Sequence, residues 1–140
     1  MDARKLLSVL RAHANPANVA GMARYGINSK GALGVPMPVL RKLAKEAGPS
    51  HELAAALWAS GIHEARILAT LIDDPARVTG RQMDRWVGDL DSWDVCDQAC
   101  QNLFRYAPSA FRWRYWSPLR LARASAAGCT VLLVRYLGYN

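Results

Sequence analysis

The feature that most constrains this chain is its punctuation. Apolar residues recur with helical spacing, but breakers interrupt them at Asn15-Pro16, Gly26 to Pro38, Gly48-Pro49-Ser50, Ser60-Gly61, Asp74-Pro75 and Ala107-Pro108. Between such breakers only helices of about three turns fit, and isolated helices of that length are marginal in water. Each must therefore bury an apolar stripe on its neighbours. No stretch alternates with period two, so strands are not expected. The expected architecture is an all-α helical-repeat solenoid of short antiparallel helix pairs, because there are too many short helices for a four-helix bundle.

Individual elements follow from the same signals. Leu6, Leu7, Val9 and Leu10 mark a helix over residues 3–14. Asn15 is placed to cap a second helix that begins at Pro16 and runs to about Tyr25. After the glycine-rich loop, Val39, Leu40, Leu43 and Ala44 line a helix from Met37 to Glu46. Ser50 then caps another, carried inward by Leu53, Ala56 and Leu57. Ile67, Leu68, Leu71 and Ile72 form the apolar face of residues 63–73. Thr79 and Gln82 have capping-box spacing ahead of Met83, Trp86, Val87 and Leu90. Trp58 and Trp86 occupy similar places in successive pairs, which suggests a HEAT-like repeat. A single domain over residues 1–140 suits the length.

Half of the residues are hydrophobic, which excludes a disordered chain. No run approaches the ~20 apolar residues of a membrane span, and the N-terminus lacks a secretory layout, so a soluble, cytoplasmic protein without a membrane partner is expected. Cys96, Cys100 and Cys129 are odd in number and show no metal-binding spacing; they read as reduced, half-buried thiols. The three histidines are too scattered to ligate a metal together, and neither metal nor cofactor is expected.

The net charge of +7 is unevenly distributed. Residues 1–45 carry eight Lys or Arg against Asp2, residues 46–97 carry four Arg against ten acids, and residues 98–140 carry six Arg and no acid. Two basic flanks around an acidic middle suit a polyanion held on both sides of a site that contains a carboxylate. After Tyr106, Arg112, Arg114, Arg120 and Arg123 interleave with Phe111, Trp113, Tyr115 and Trp116. That composition fits a nucleic-acid-facing segment, and equally well an aromatic core with a solvated arginine rim. Lys30 lies in the glycine-rich loop, which lacks P-loop spacing and reads as a connector that touches a backbone phosphate at most.

The stretch Leu90 to Leu103 holds the most informative pattern. If helical, it stacks Trp93 above Asp97, with Asp91 or Ser92 as cap. Taken alone, Asp91 and Asp94 read as helix-start residues, Trp93 as core, and Glu64 as an acid that caps a helix or pairs with an arginine rather than a general base.

Together, several blocks resemble the DNA alkylation repair family of HEAT-like-repeat DNA glycosylases. They are Asn15-Pro16 through Met22-Ala-Arg-Tyr25 to Leu33-Gly-Val-Pro-Met-Pro-Val-Leu-Arg41; Leu57-Trp58 followed by Glu64-Ala65; Trp93-Asp94-Val-Cys-Asp97; and, more loosely, Leu121-Ala-Arg123-Ala-Ser. The Trp-Asp-x-x-Asp block is the specific one. The resemblance implies hydrolysis of the N-glycosidic bond of alkylated purines, of the 3-methyladenine and 7-methylguanine type, in double-stranded DNA. It makes Trp93 and Asp97 the catalytic pair and Arg123 a DNA-gripping arginine, and it places Tyr25 against DNA; Arg120, Lys30 and Trp113 join them as candidate DNA contacts. The family pattern continues beyond this length, so a short member without the C-terminal repeats is expected. The apolar run from Cys129 to Leu137 would then seek a partner chain, giving a homo-oligomer. The alternative is a non-catalytic helical-repeat module that binds DNA or protein.

Overall fold

The structure is a computed structural model that describes residues 1–108 and 110. Among these residues it contains helices and 3-10 turns and no strand. The helices are α1 (Ala3–Ala12), α2 (Pro16–Met22), α3 (Met37–Ala47), α4 (His51–Ala59), α5 (His63–Ile72), α6 (Gly80–Asp89) and α7 (Trp93–Asn102). Short 3-10 turns lie at Ala23–Tyr25, Pro75–Arg77 and Phe104–Tyr106. The all-α expectation is met, and no helix among the described residues is long and apolar enough to cross a membrane. The chain divides into two compact units, Met1–Asp74 and Pro75–Asn140.

Asn15, Ser50 and Thr79 cap the helices expected of them, Asp2 caps α1 as well, and Ser92, the expected cap of α7, makes no capping bond. Asp2 accepts the Lys5 amide at 2.8 Å, and Asn15 accepts the amides of Ala17 and Asn18 at 3.0 and 3.4 Å with Pro16 in the first turn. Ser50 accepts from Leu53 and Thr79 from Gln82, at 3.2 and 3.1 Å. Each such bond satisfies an amide that the helix itself leaves without a partner.

The first unit is built around α5. Eight of its ten residues are buried, and α1, α3 and α4 all pack on it. Leu6 and Leu10 of α1, Leu40 and Leu43 of α3, and Leu57 of α4 supply the surrounding core. Each fully buried side chain of this kind contributes about 1.5–3 kcal/mol relative to exposure. The inward face of α4 differs from expectation: Ala54, Leu57 and Trp58 are buried, whereas Ala56 is exposed. The three consecutive alanines carry little periodic signal, so the large indole of Trp58 sets the face, with positions 54, 57 and 58 on one stripe.

The open end of the α4–α5 hairpin is tied. The Ser50 amide donates to the Ile72 carbonyl at 2.8 Å, and His51 Nδ1 lies 2.6 Å from the buried Asp73 carboxylate. Arg66 is bound locally as well: its Nε donates to the Trp58 carbonyl at 3.3 Å, and its guanidinium lies 5.2 Å from the Trp58 ring centroid.

In the second unit, α6 buries Met83, Trp86 and Val87, and α7 buries Val95, Cys96, Ala99 and Cys100. The turn at Phe104–Tyr106 closes this core. Phe104 is fully buried, with its ring centroid 6.3 Å from that of Trp86 at a tilt of 46°. Cys100 is a free buried thiol, but Cys96 is disulfide-bonded, which corrects the expectation of reduced thiols throughout.

Candidate catalytic face and nucleic-acid contacts

Helix α7 begins abruptly. Leu90 ends α6 in an extended conformation, and Ser92 is extended at the N-cap position with φ −153° and ψ 150°. The Ser92 hydroxyl makes no capping bond and is buried without a hydrogen-bond partner. Asp91 stands exposed ahead of the cap, and Asp94 in the first turn complements the positive end of the helix dipole.

Trp93 is the first helical residue. It is 37% exposed while Val95 and Cys96 beside it are buried, so its indole stays at the surface. Asp97 follows four residues later, on the same helix face and half-buried. The carboxylate also faces the next turn. Burial pushes the Cys100 thiol well above its ordinary range, and the negative charge of Asp97 pushes it further in the same direction. Asp97 thus follows a partly exposed indole by one helical turn and precedes a buried thiol by one turn. A carboxylate with one side against the protein interior is less screened than one in water, so it stabilises a cation placed beside it more strongly.

In the first unit, Tyr25 ends a 3-10 turn and is 73% exposed. Gly26, at φ 71°, adopts the left-handed conformation that stops the turn. Lys30 is exposed on the following loop, where its amide donates to Asn28 Oδ1 at 3.0 Å.

That loop is held firmly at its far end. The Asn15 amide donates to the Leu33 carbonyl at 2.8 Å, and Asn18 Nδ2 donates to the Gly34 carbonyl at 2.9 Å. Glu64, buried in the first turn of α5, accepts the Leu33 amide at 2.6 and 3.0 Å and the Gly34 amide at 3.2 Å. Among the described residues Glu64 therefore neither caps its own helix nor pairs with an arginine, the two roles its position suggested; it anchors the glycine-rich loop. A Cβ at Gly34 would lie 2.2 Å from the Asn15 carbonyl oxygen, so only glycine permits this close approach. Since the Leu33 and Gly34 amides are spent on Glu64, they are not offered to a phosphate.

Among the described residues no cluster of His, Cys, Asp or Glu could hold a metal ion. Arg120, Arg123, Trp113 and the apolar run 129–137 lie outside the described residues. One exposed pair without a signature in the sequence is Arg105 and Tyr106. The two are adjacent, and the Arg105 guanidinium lies 5.1 Å from the Tyr106 ring centroid. The His51–Asp73 contact was also missed, because a pairing between one helix start and another helix end has no local signature.

The family model described as DNA alkylation repair enzyme matches residues 6–112. This chain belongs to the DNA alkylation repair family. No curated protein matches the sequence. Among solved structures, the fold matches a protein of a new family related to the HEAT-like repeat DNA glycosylases, with affinity for branched DNA structures. The TM-score is 0.71 and the identity 21%, over 96% of this chain and 59% of that one. The likeness shows that this DNA alkylation repair family member has the all-α, HEAT-like repeat fold, and that it spans 59% of the length of the matched protein.

Proposed function

We propose that this chain is a DNA glycosylase that hydrolyses the N-glycosidic bond of alkylated purines, of the 3-methyladenine and 7-methylguanine type, in double-stranded DNA. The observation that carries the reading is the placement of Trp93 and Asp97 on one partly exposed face of α7, within the residues that match the DNA alkylation repair family. An N-alkylated purine is cationic and leaves as a neutral base once the bond electrons pass to its ring nitrogen. No general acid is required. What the reaction demands is stabilisation of the positive charge that develops on the sugar as the bond breaks.

Asp97 supplies a fixed negative charge for that sugar, and its second oxygen orients a water for attack at the same carbon. Addition of water yields the free base and an abasic site and releases one proton. The indole of Trp93 offers a cation–π surface beside the carboxylate. Tyr25 and Lys30 contact the DNA in this reading, as do Arg120, Arg123 and Trp113.

The test is release of methylated purines from alkylated duplex DNA by the intact chain and by Asp97→Asn. Release by the intact chain and its loss in the variant support the reading; no release above background from the intact chain overturns it. The second reading is a DNA-binding module without turnover. It is favoured by the matched protein's affinity for branched DNA. It requires salt-dependent DNA binding with no base release.

A further inference from the structure

Tyr106 is 60% exposed, and the guanidinium of Arg105, itself exposed, rests 5.1 Å from its ring centroid. Neither side chain makes a hydrogen bond or ion pair among the described residues. The rest of this turn is committed to the core through Phe104, so the pair is carried at the surface on a fixed support. The surrounding sequence is one-sided in charge, since residues 98–140 contain six arginines and no acid.

An exposed aromatic ring with an unpaired guanidinium over one of its faces combines two complementary surfaces, the opposite face of the ring and the edge of the guanidinium. The ring offers a flat apolar face, and the guanidinium offers up to five N–H donors in a planar fork that matches phosphate oxygens. A nucleotide has both counterparts, a base with a π face and a phosphate one sugar away. Bases inside a duplex already have their faces covered by their neighbours. Only an unpaired or extruded base can lie on Tyr106.

We infer that Arg105 and Tyr106 form a stacking platform for an unpaired DNA base, separate from the Trp93–Asp97 face at the start of α7. The inference rests on the DNA-binding part of the proposed function and not on base release. It extends the substrate class from alkylated duplex to DNA that carries unpaired nucleotides.

The test compares binding of the intact chain to a fully paired duplex and to the same duplex with a short unpaired bulge that contains 2-aminopurine, both without alkylation. The expected result is tighter binding of the bulged probe, with quenching of 2-aminopurine as it stacks. Tyr106→Leu, which keeps apolar bulk but has no π face, should cost about 5- to 100-fold on the bulged probe and little on the duplex. Tyr106→Phe should retain both the affinity and the quenching. Equal binding of the two probes, equal losses on both in Tyr106→Leu, or an unquenched 2-aminopurine in the wild-type complex would each overturn the platform. Base release by a chain that shows no Tyr106 effect removes the platform alone, whereas binding to neither probe together with no base release from alkylated duplex removes the glycosylase reading with it.

Discussion

The carboxylate of Glu64 accepts the backbone amide of Leu33 at 2.6 Å across a separation of 31 residues, joining the most buried helix of the first unit to its longest loop. Charge-assisted bonds of this kind contribute about 1.5–3 kcal/mol each, and a buried donor left without its acceptor costs a similar amount. Glu64→Gln replaces one carboxylate oxygen with an amide group that donates toward an amide that also donates. It should therefore lower stability by about 2–4 kcal/mol, read as a lower urea midpoint with an unchanged slope. An unaltered midpoint would show that the loop is held without Glu64.

Gly34→Ala should destabilise the same loop by a different route. The backbone there has φ 82°, and the new methyl would lie 2.2 Å from the Asn15 carbonyl oxygen. Left-handed backbone alone costs about 1 kcal/mol for alanine, and the clash adds to it, so a loss of more than about 2 kcal/mol is expected. Gly26→Ala, where no atom lies near the added methyl, should cost less than Gly34→Ala. The difference between the two midpoints measures the clash.

At the proposed site, Asp97→Asn keeps size and shape and removes the charge. Loss of one preorganised electrostatic group typically slows a reaction by about 10²- to 10³-fold, and a loss of that order in base release is expected. Far-ultraviolet circular dichroism should overlay that of the wild type, because Asp97 is half-buried and the core of α7 is formed by Val95, Cys96, Ala99 and Cys100. Retention of full release by a folded Asp97→Asn would remove the carboxylate from the mechanism.

The Cys100 thiol gives a pH-dependent signature. Burial, with a smaller contribution from Asp97, raises its pKa above the ordinary thiol value of 9.0, so the folded chain keeps the proton that the unfolded chain releases. The stability linked to this group is fully present below pH 9.0 and is lost as pH rises beyond it, by about 1.4 kcal/mol per pH unit. Urea unfolding of wild type and Cys100→Ala at pH 8 and pH 10 should therefore show a steeper alkaline loss in the wild type. Parallel losses would place the thiol outside this linkage.

Much of the helical pattern was legible because its signals are local. Asn15 before Pro16 and Thr79 before Gln82 each combine a cap with a breaker or an apolar stripe, and these helices begin where those residues stand. Trp93 and Asp97 were legible for a related reason: a spacing of four residues has a fixed meaning once a helix is assumed. The inner face of α4 was misread because Ala54, Ala55 and Ala56 look alike, and only burial of Trp58 decides among them. Glu64 was read as a helix-start acid because its partners lie thirty residues or more away in sequence, at Leu33 and Gly34. Position within a helix does not reveal a distant acceptor role. The Arg105–Tyr106 pair has no sequence signature since adjacent residues in a helix face apart, and it is the long, flexible arginine side chain that reaches the neighbouring ring.

The tie at the open end of the α4–α5 hairpin has a mechanical consequence. The pair is joined at one end by the covalent turn 60–62 and at the other by the Ser50–Ile72 and His51–Asp73 contacts, which makes it a closed loop of chain. Tension applied at Pro75, just beyond that closure, is shared between both helices, so α5 cannot peel away one turn at a time. The hairpin must yield as a whole or hold.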